Sequence, residues 1–352
     1  MRWGFNPYEP TGIQDPVLPR TELPDHYRVE TVVSGLDRPT QLAAAADGRL
    51  FVAEQAGDVR VVRNGQLLAE PFISVDAFLP DLDKIVELGL TGIVVDPQFE
   101  EYPYVYLYYA ADNPRRTVIV RVQEQGGRGT NAQEIFSWER APECCHIGGG
   151  MRFLRDGTIL VGMGDHEQSA SAQNPLEPPG SILRITREGG WPDDNPFIGP
   201  VYAYGLRNPY DVAADPGSGR IFAGENGLFG QDAIVEIEAG ANYGWPGTGL
   251  REPLDEIEHP LIFYHEGSGT AGLEFYSSPV LGELQGHLLF CRFHSGEIHD
   301  VDFAADGSVA RETVLDLEQD CHSDLLTGPE GFLYFLDFIK GTLYRIAAGG
   351  ES

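Results

Sequence analysis

One motif returns along this chain, and its return constrains the fold more than any single residue does. A turn marked by Asp-Gly or Gly leads into a short apolar strand, then a polar break, then a second short strand. It reads DGRLFVAEQAGDVRVV from Asp47, YPYVYLYYAADNPRRTVIVRV from Tyr102, and DGTILVGMGD from Asp156 with SILRI from Ser181. Further copies are GRIFAGENGLFGQDAIVEI from Gly219, GHLLFCRFHSGEIHDV from Gly286 and EGFLYFLDFIKGTLYRI from Glu330. Short runs rich in Val, Ile, Leu, Phe and Tyr are strand signals. The 43 glycines and 25 prolines fall largely between the runs, where turns need them. No stretch carries long helical periodicity with caps.

A two-strand unit of this kind cannot bury its own apolar faces, so its copies must stack on one another. About six copies at a spacing of several tens of residues predict radial repetition. The expected fold is all-β: a six-bladed β-propeller of four-stranded antiparallel blades, with ligands at the mouth of the central channel. A large β-sandwich or paired barrels is the alternative. Tyr27 to Val33 reads as a strand that pairs with the last blade and closes the ring. No linker stands out, so residues 27–348 are read as one domain. Residues 1–26, with Pro7, Pro10, Pro16, Pro19 and Pro24, are read as an extended arm on its surface.

Charge narrows the partners. The formal net charge is -30, and Lys84 and Lys340 are the only lysines. Phosphate backbones and anionic lipid surfaces are repelled by such a chain, so neither nucleic acid nor membrane is expected; charge says what is excluded, not what is bound. No run of about eighteen apolar residues suggests a membrane span. The first residues lack a basic-then-apolar leader, so the chain as written is read as cytoplasmic.

The most chemically suggestive segment is Cys144-Cys145-His146-Ile147-Gly148-Gly149-Gly150, followed by a short strand that ends at Asp165. Glycine permits positive φ and close approach, which suits a loop presenting His146 and Asp165 to a ligand; a plain glycine-rich turn is the alternative. Four cysteines are too few for a disulfide-built scaffold, and no CxxC occurs. Folding without disulfides is therefore expected, with the vicinal pair as the one exception.

Several ordered stretches resemble one family: ELGLTGIVVDPQFEEYPYVYLYY, HIGGGMRFLRDGTILVGMGD, WPDDNPF, YAYGLRNPYDVAADP, GENG, GANYGWP and GPEGFLY. The chain is similar from about residue 28 to residue 347 to the soluble glucose/sorbosone dehydrogenases, which use pyrroloquinoline quinone (PQQ) and calcium. That family is often extracytoplasmic. The resemblance implies an oxidoreductase acting on an aldose or similar alcohol. It implies His146 as the base that takes a substrate hydroxyl proton, and Arg207 and Asn208 as hydrogen-bond donors to the quinone. It implies the carbonyls of Gly227 and Leu228 as calcium ligands, Leu228 standing where the family has proline. Asp165 is expected to line the same mouth. Glu225, Asp232, Tyr243 and Trp245 match positions expected to hold blade geometry or a second calcium, although Ala233 replaces an acidic residue there.

The pattern breaks at the basic clamp that the family closes on the carboxylates of PQQ. His294 and Ser295 stand where a lysine and another cationic or polar residue are expected, and Cys321 and Ser323 where arginines are. Arg292 is placed by strand alternation on the face opposite Cys291 and Phe293. Loss of most charge-assisted partners weakens binding of a tricarboxylate, at about 1.5–3 kcal/mol for each bond. His294 and Ser323 are then the residues left to contact the cofactor. The replacements suggest a second reading, in which His146, His294, Cys321, His322, Cys144 and Cys145 hold copper, zinc or iron at the mouth. A third is a propeller that binds a partner there without catalysis.

Overall fold

The structure is a computed structural model that describes residues 14–80, 87–112, 114–228, 231–247, 258–265, 267 and 269–349. Six small, predominantly antiparallel sheets follow one another along the chain as the six blades of a propeller. Blade 1 covers residues 39–74, blade 2 residues 90–138, blade 3 residues 148–204 and blade 4 residues 209–263. Blade 5 covers residues 270–316, and blade 6 residues 325–348 together with the N-terminal strand Tyr27–Ser34. That strand runs antiparallel to Thr342–Ala348, with Tyr27 opposite Ala348, and closes the ring as expected. The first strand of each blade packs beside the first strands of both neighbouring blades, so these six strands line the central channel.

Burial explains why the repeat is so apolar. The second strands Leu50–Glu54, Ile159–Met163, Ile221–Glu225, His287–Arg292 and Leu333–Asp337 are buried at every residue, because each is covered by a blade on both faces. The outermost strand of blade 2, Arg128–Trp138, is largely exposed and reads as polar. The Asp-led turns repeat the same chemistry where first and second strands meet. Asp47, Asp156 and Asp215 each accept the backbone N–H two residues on, at 3.1, 2.9 and 2.6 Å.

In the described part of the N-terminal arm, Arg20–Glu22 adds a largely exposed parallel strand to the edge of blade 5 along Val314–Asp316. Residues 1–13 lie outside the described residues. Cys144 is bonded to Cys145, the exception allowed for, but Cys291 is also bonded to Cys321, and that second bond corrects the expectation that the rest of the chain folds without disulfides. The second bond joins blade 5 to the loop entering blade 6 in a fully buried cluster.

Candidate active site at the channel mouth

First strands begin, and second strands end, at the same end of the channel. Segments 144–147, 207–208 and 321–323, with Gly267 and Gly269, precede first strands; Gln55, Asp165, Asn226, Phe293 and Phe338 follow second strands. A cavity of about 540 Å³ opens among them, lined by Thr40, Gln55, Glu87, Thr91, Cys145, Arg207, Tyr210, Asn226, Gly227, Asp232, Thr270, Phe293, His294 and Phe338.

Neither His146 nor Asp165 is among the residues lining this cavity, so Asp165 does not line the mouth as expected; beside Cys145, which does, His146 Nδ1 lies 2.8 Å from Asp165 Oδ1. Asp165 is 1% exposed. It also accepts Trp245 Nε1–H at 2.8 Å and the Glu167 backbone N–H at 2.8 Å. Burial pushes its carboxyl up, but the bonds from His146, Trp245 and Glu167 outweigh burial and hold it below the usual aspartate value. Ionised Asp165 fixes the Nδ1–H tautomer, which leaves the Nε2 lone pair of His146 to accept a proton. Trp245, expected to hold blade geometry or a metal, instead braces this pair, and the Arg207 guanidinium sits 5.7 Å from its ring centre.

The glycine run does something other than present a ligand loop. Gly148–Phe153 is the first strand of blade 3, and a side chain on its glycines meets the neighbouring strands. A Cβ on Gly150 falls 2.1 Å from Asp211 Oδ1, and on Gly149 2.4 Å from Thr91 Oγ1. Glycine here permits close packing around the axis. His146 itself adopts φ 59°, uncommon for a non-glycine residue.

Arg207 is held from both sides. Its N–H donates to Glu225 Oε1 at 2.6 Å and one guanidinium nitrogen donates to Asn226 O at 2.8 Å, while the buried Nε–H has no hydrogen-bond partner. Burial raises the Glu225 carboxyl to about 8, against the opposing effect of the Arg207 N–H and guanidinium. Asn208 is fully buried, and its amide is spent on Glu87 Oε2 at 2.8 Å and the Gly148 N–H at 3.1 Å. It therefore positions Glu87 rather than facing the cavity. Glu87 also accepts the His146 N–H at 2.8 Å, so it ties blade 2 to His146. Glu87 opens the family-like stretch ELGLTGIVV, but nothing in that stretch assigns it a role; only the fold brings it to His146 and Asn208.

Of the calls at the last two blades, His294 lines the cavity but the others do not reach it. Ser323 is 2% exposed and its hydroxyl donates to Pro39 O at 2.7 Å. Arg292 turns away and stacks 4.1 Å from the centre of the Tyr264 ring, as alternation predicted. Asp232, described as lining the mouth, accepts the Gly269 N–H at 2.8 Å. Tyr243 holds blade 4 by donating to Glu236 O at 2.5 Å. Gly227 lines the cavity, and Leu228 O lies 3.3 Å from Gln231 N.

The transition-metal set built on His146, His294, Cys321 and His322 is not assembled. Cys321 spends its sulfur on Cys291, and His322 faces Asp337 Oδ1 at 3.0 Å in a buried pair. Among the described residues, the one group of three metal-ligand side chains with mutually close donor atoms is Cys144, Cys145 and Glu167.

Residues 36–345 match the family model described as glucose/sorbosone dehydrogenase. The chain is 27% identical to the aldose sugar dehydrogenase YliI of Escherichia coli K12, over 92% of this chain and 94% of that protein. Among solved structures it superimposes on a glucose dehydrogenase-type putative oxidoreductase of Thermus thermophilus. The TM-score is 0.82 and the identity 29%, covering 91% of this chain and 99% of that one. The PQQ-bound aldose sugar dehydrogenase of Streptomyces coelicolor has the same fold, with TM-score 0.77 at 22% identity over 92% of this chain and 99% of that one.

Proposed function

The chain belongs to the glucose/sorbosone dehydrogenase family, and from that premise we propose that it oxidises a small hydroxylated substrate of the aldose class at the channel mouth, with His146 as the proton acceptor. The observation that carries this reading is the His146–Asp165 pair, set directly after Cys145, which lines the cavity. Oxidation of a hydroxyl to a carbonyl removes the O–H proton and a hydride from carbon. His146 Nε2 takes the proton, Asp165 stabilises the imidazolium that forms, and Trp245 keeps Asp165 in register. The Arg207 guanidinium, which lines the cavity, suits an oxygen on which charge develops.

A redox group must take the hydride, and PQQ is the group that the Streptomyces protein holds. The donor set here does not fit it. Among the described residues lining the cavity, Arg207 is the one arginine or lysine, and it shares the cavity with the carboxylates of Glu87 and Asp232. PQQ brings three more carboxylates to that site. The two residues expected to replace the clamp do not make up the deficit, since Ser323 bonds to Pro39 and His294 is a single imidazole at the exposed rim. The carbonyls of Gly227 and Leu228 remain the proposed calcium donors, as main-chain oxygen suits a hard cation. The acceptor proposed here is a group carrying less negative charge than PQQ.

The test is sugar-dependent reduction of an electron-accepting dye by protein purified from its own host. His146→Ala is expected to lower turnover about 10²–10⁴-fold. Added PQQ and calcium are expected to leave the wild-type rate unchanged. Full turnover in the variant would refute the base, and saturable, stoichiometric PQQ binding at submicromolar concentration would refute the argument from charge.

A further inference from the structure

We propose that Cys144, Cys145 and Glu167 form a redox-gated site for a thiophilic divalent cation of the zinc class, closed while the vicinal disulfide is intact and open when it is reduced. The proposal stands on the rim loops themselves and holds whether or not the mouth oxidises a sugar.

Three observations converge on it. One donor atom from each of the three residues lies within 4.8 Å of the other two, and Cys144 Sγ sits 3.3 Å from Glu167 Oε1. Four-coordinate zinc needs Zn–S near 2.3 Å and Zn–O near 2.0–2.2 Å, which places a sulfur and an oxygen ligand about 3.5–3.7 Å apart. The carboxylate is within about 0.4 Å of that separation from one sulfur, and the second sulfur reaches it by a rotamer change once the S–S bond is gone. The Glu167 side chain is also held in place, because its Oε2 accepts the Glu143 N–H at 2.8 Å.

Accessibility is the second point. Cys144 and Cys145 are half-buried, Glu167 is exposed, and Cys145 lines the mouth cavity, so a reductant and an aqueous ion can both reach the group. The other disulfide, Cys291–Cys321, has both residues at 0% exposure and lies inside an apolar cluster. Mild reduction of the folded protein therefore opens one bond and spares the other.

Position is the third. Cys145 is followed directly by His146, and Glu167 donates its N–H to Asp165 Oδ1 at 2.8 Å. The same two loops thus carry the metal donors and the base pair. An ion bridging them ties residue 144 to residue 167 and reports on, or alters, the setting of His146.

The chemistry balances. A dithiol reductant supplies two electrons and two protons, the Cys144–Cys145 bond breaks to two thiols, and the reductant becomes a disulfide. Binding of the divalent ion as a dithiolate then releases the two thiol protons to solvent. Glu167 is the third ligand, and water takes the fourth position.

The experiment uses the folded chain, treated with a phosphine reductant that is removed under anaerobic conditions before Zn²⁺ is titrated against a chromophoric chelator. Expected results are two titratable thiols per native chain, one Zn²⁺ bound by reduced protein and none by oxidised protein. Cd²⁺ in place of Zn²⁺ is expected to give a thiolate-to-metal charge-transfer band. A Cys144→Ser/Cys145→Ser double variant, checked for folding by circular dichroism, is expected to bind neither ion. Glu167→Gln is expected to weaken Zn²⁺ binding about 10-fold or more. No thiols in the native chain after reduction, no Zn²⁺ uptake by the dithiol form, or uptake that survives the double serine variant would each overturn the proposal.

Discussion

Replacing Asp165 by Asn tests the central pair with little change in volume. Asp165 accepts through Oδ1 from His146 Nδ1 and from the Glu167 N–H, and through Oδ2 from Trp245 Nε1, all at 2.8 Å. An amide has one acceptor end, so in either flip its NH₂ faces a donor and at least one buried N–H loses its partner. A bond to a charged group contributes about 1.5–3 kcal/mol, and the bonds that survive lose their charge assistance, so the expected cost is about 2–4 kcal/mol at pH 7. The pH dependence carries a sign. The folded carboxyl lies below its unfolded value, so its stabilisation is complete above about pH 5 and is lost as pH falls through the folded pKa. Denaturant unfolding of wild type and variant at pH 7 and at stepwise lower pH measures the difference. The gap should narrow as the wild-type carboxyl protonates. Turnover should fall about 10²–10⁴-fold as His146 loses its fixed tautomer. A gap below about 0.5 kcal/mol at pH 7, within the range of a surface change, or one constant down to pH 3, would refute the reasoning.

Other perturbations have equally definite outcomes. His294→Lys puts one cation back at the mouth and should tighten PQQ binding about 10–100-fold, read by fluorescence titration, from one added charge-assisted bond. Cys291→Ser/Cys321→Ser removes a crosslink spanning 30 residues and should cost about 3–4 kcal/mol in denaturant unfolding, whatever the redox state of Cys144 and Cys145. Asp211, buried on the channel axis, has its carboxyl raised to about 7 by burial despite the nearby Arg152. Its folded value lies above its unfolded one, so it costs stability as pH rises from about 4 through 7. Asp211→Asn should match wild type near pH 4 and exceed it at pH 8, as thermal unfolding across that range would show.

The fate of the cysteines shows where the sequence ceases to be informative. Cys144 and Cys145 are neighbours, so their pairing is a local question that adjacency raises by itself. Cys291 and Cys321 are separated by a hairpin and the whole outer edge of blade 5. Their Cα atoms reach 5.5 Å only because the loop entering blade 6 folds back over the end of the second strand. Glu87 is a similar case: it opens a family-like stretch with no role legible in it, but is a partner of both His146 and Asn208 once blades 2, 3 and 4 converge on the axis. The glycines after His146 carried a real signal whose meaning was mistaken. Their missing side chains make room for Thr91 and Asp211 on adjacent blades, and no local pattern names those neighbours.

What the sequence determined by itself was the repeat, the strands and the ring closure by Tyr27–Ser34. These follow from short apolar runs separated by turn residues at recurring offsets, information that is local and periodic. It also placed His146 and Asp165 at the two ends of one hairpin, close enough that their pairing needed only the strand register Gly148 opposite Met163. Tertiary structure decided the rest. Which loops meet at the mouth, which cation faces the cavity and which sulfur is already spent depend on how blades distant in sequence stack around one axis. Side-chain direction at that axis is set by packing between blades, and a chain read one residue after another does not contain its neighbours.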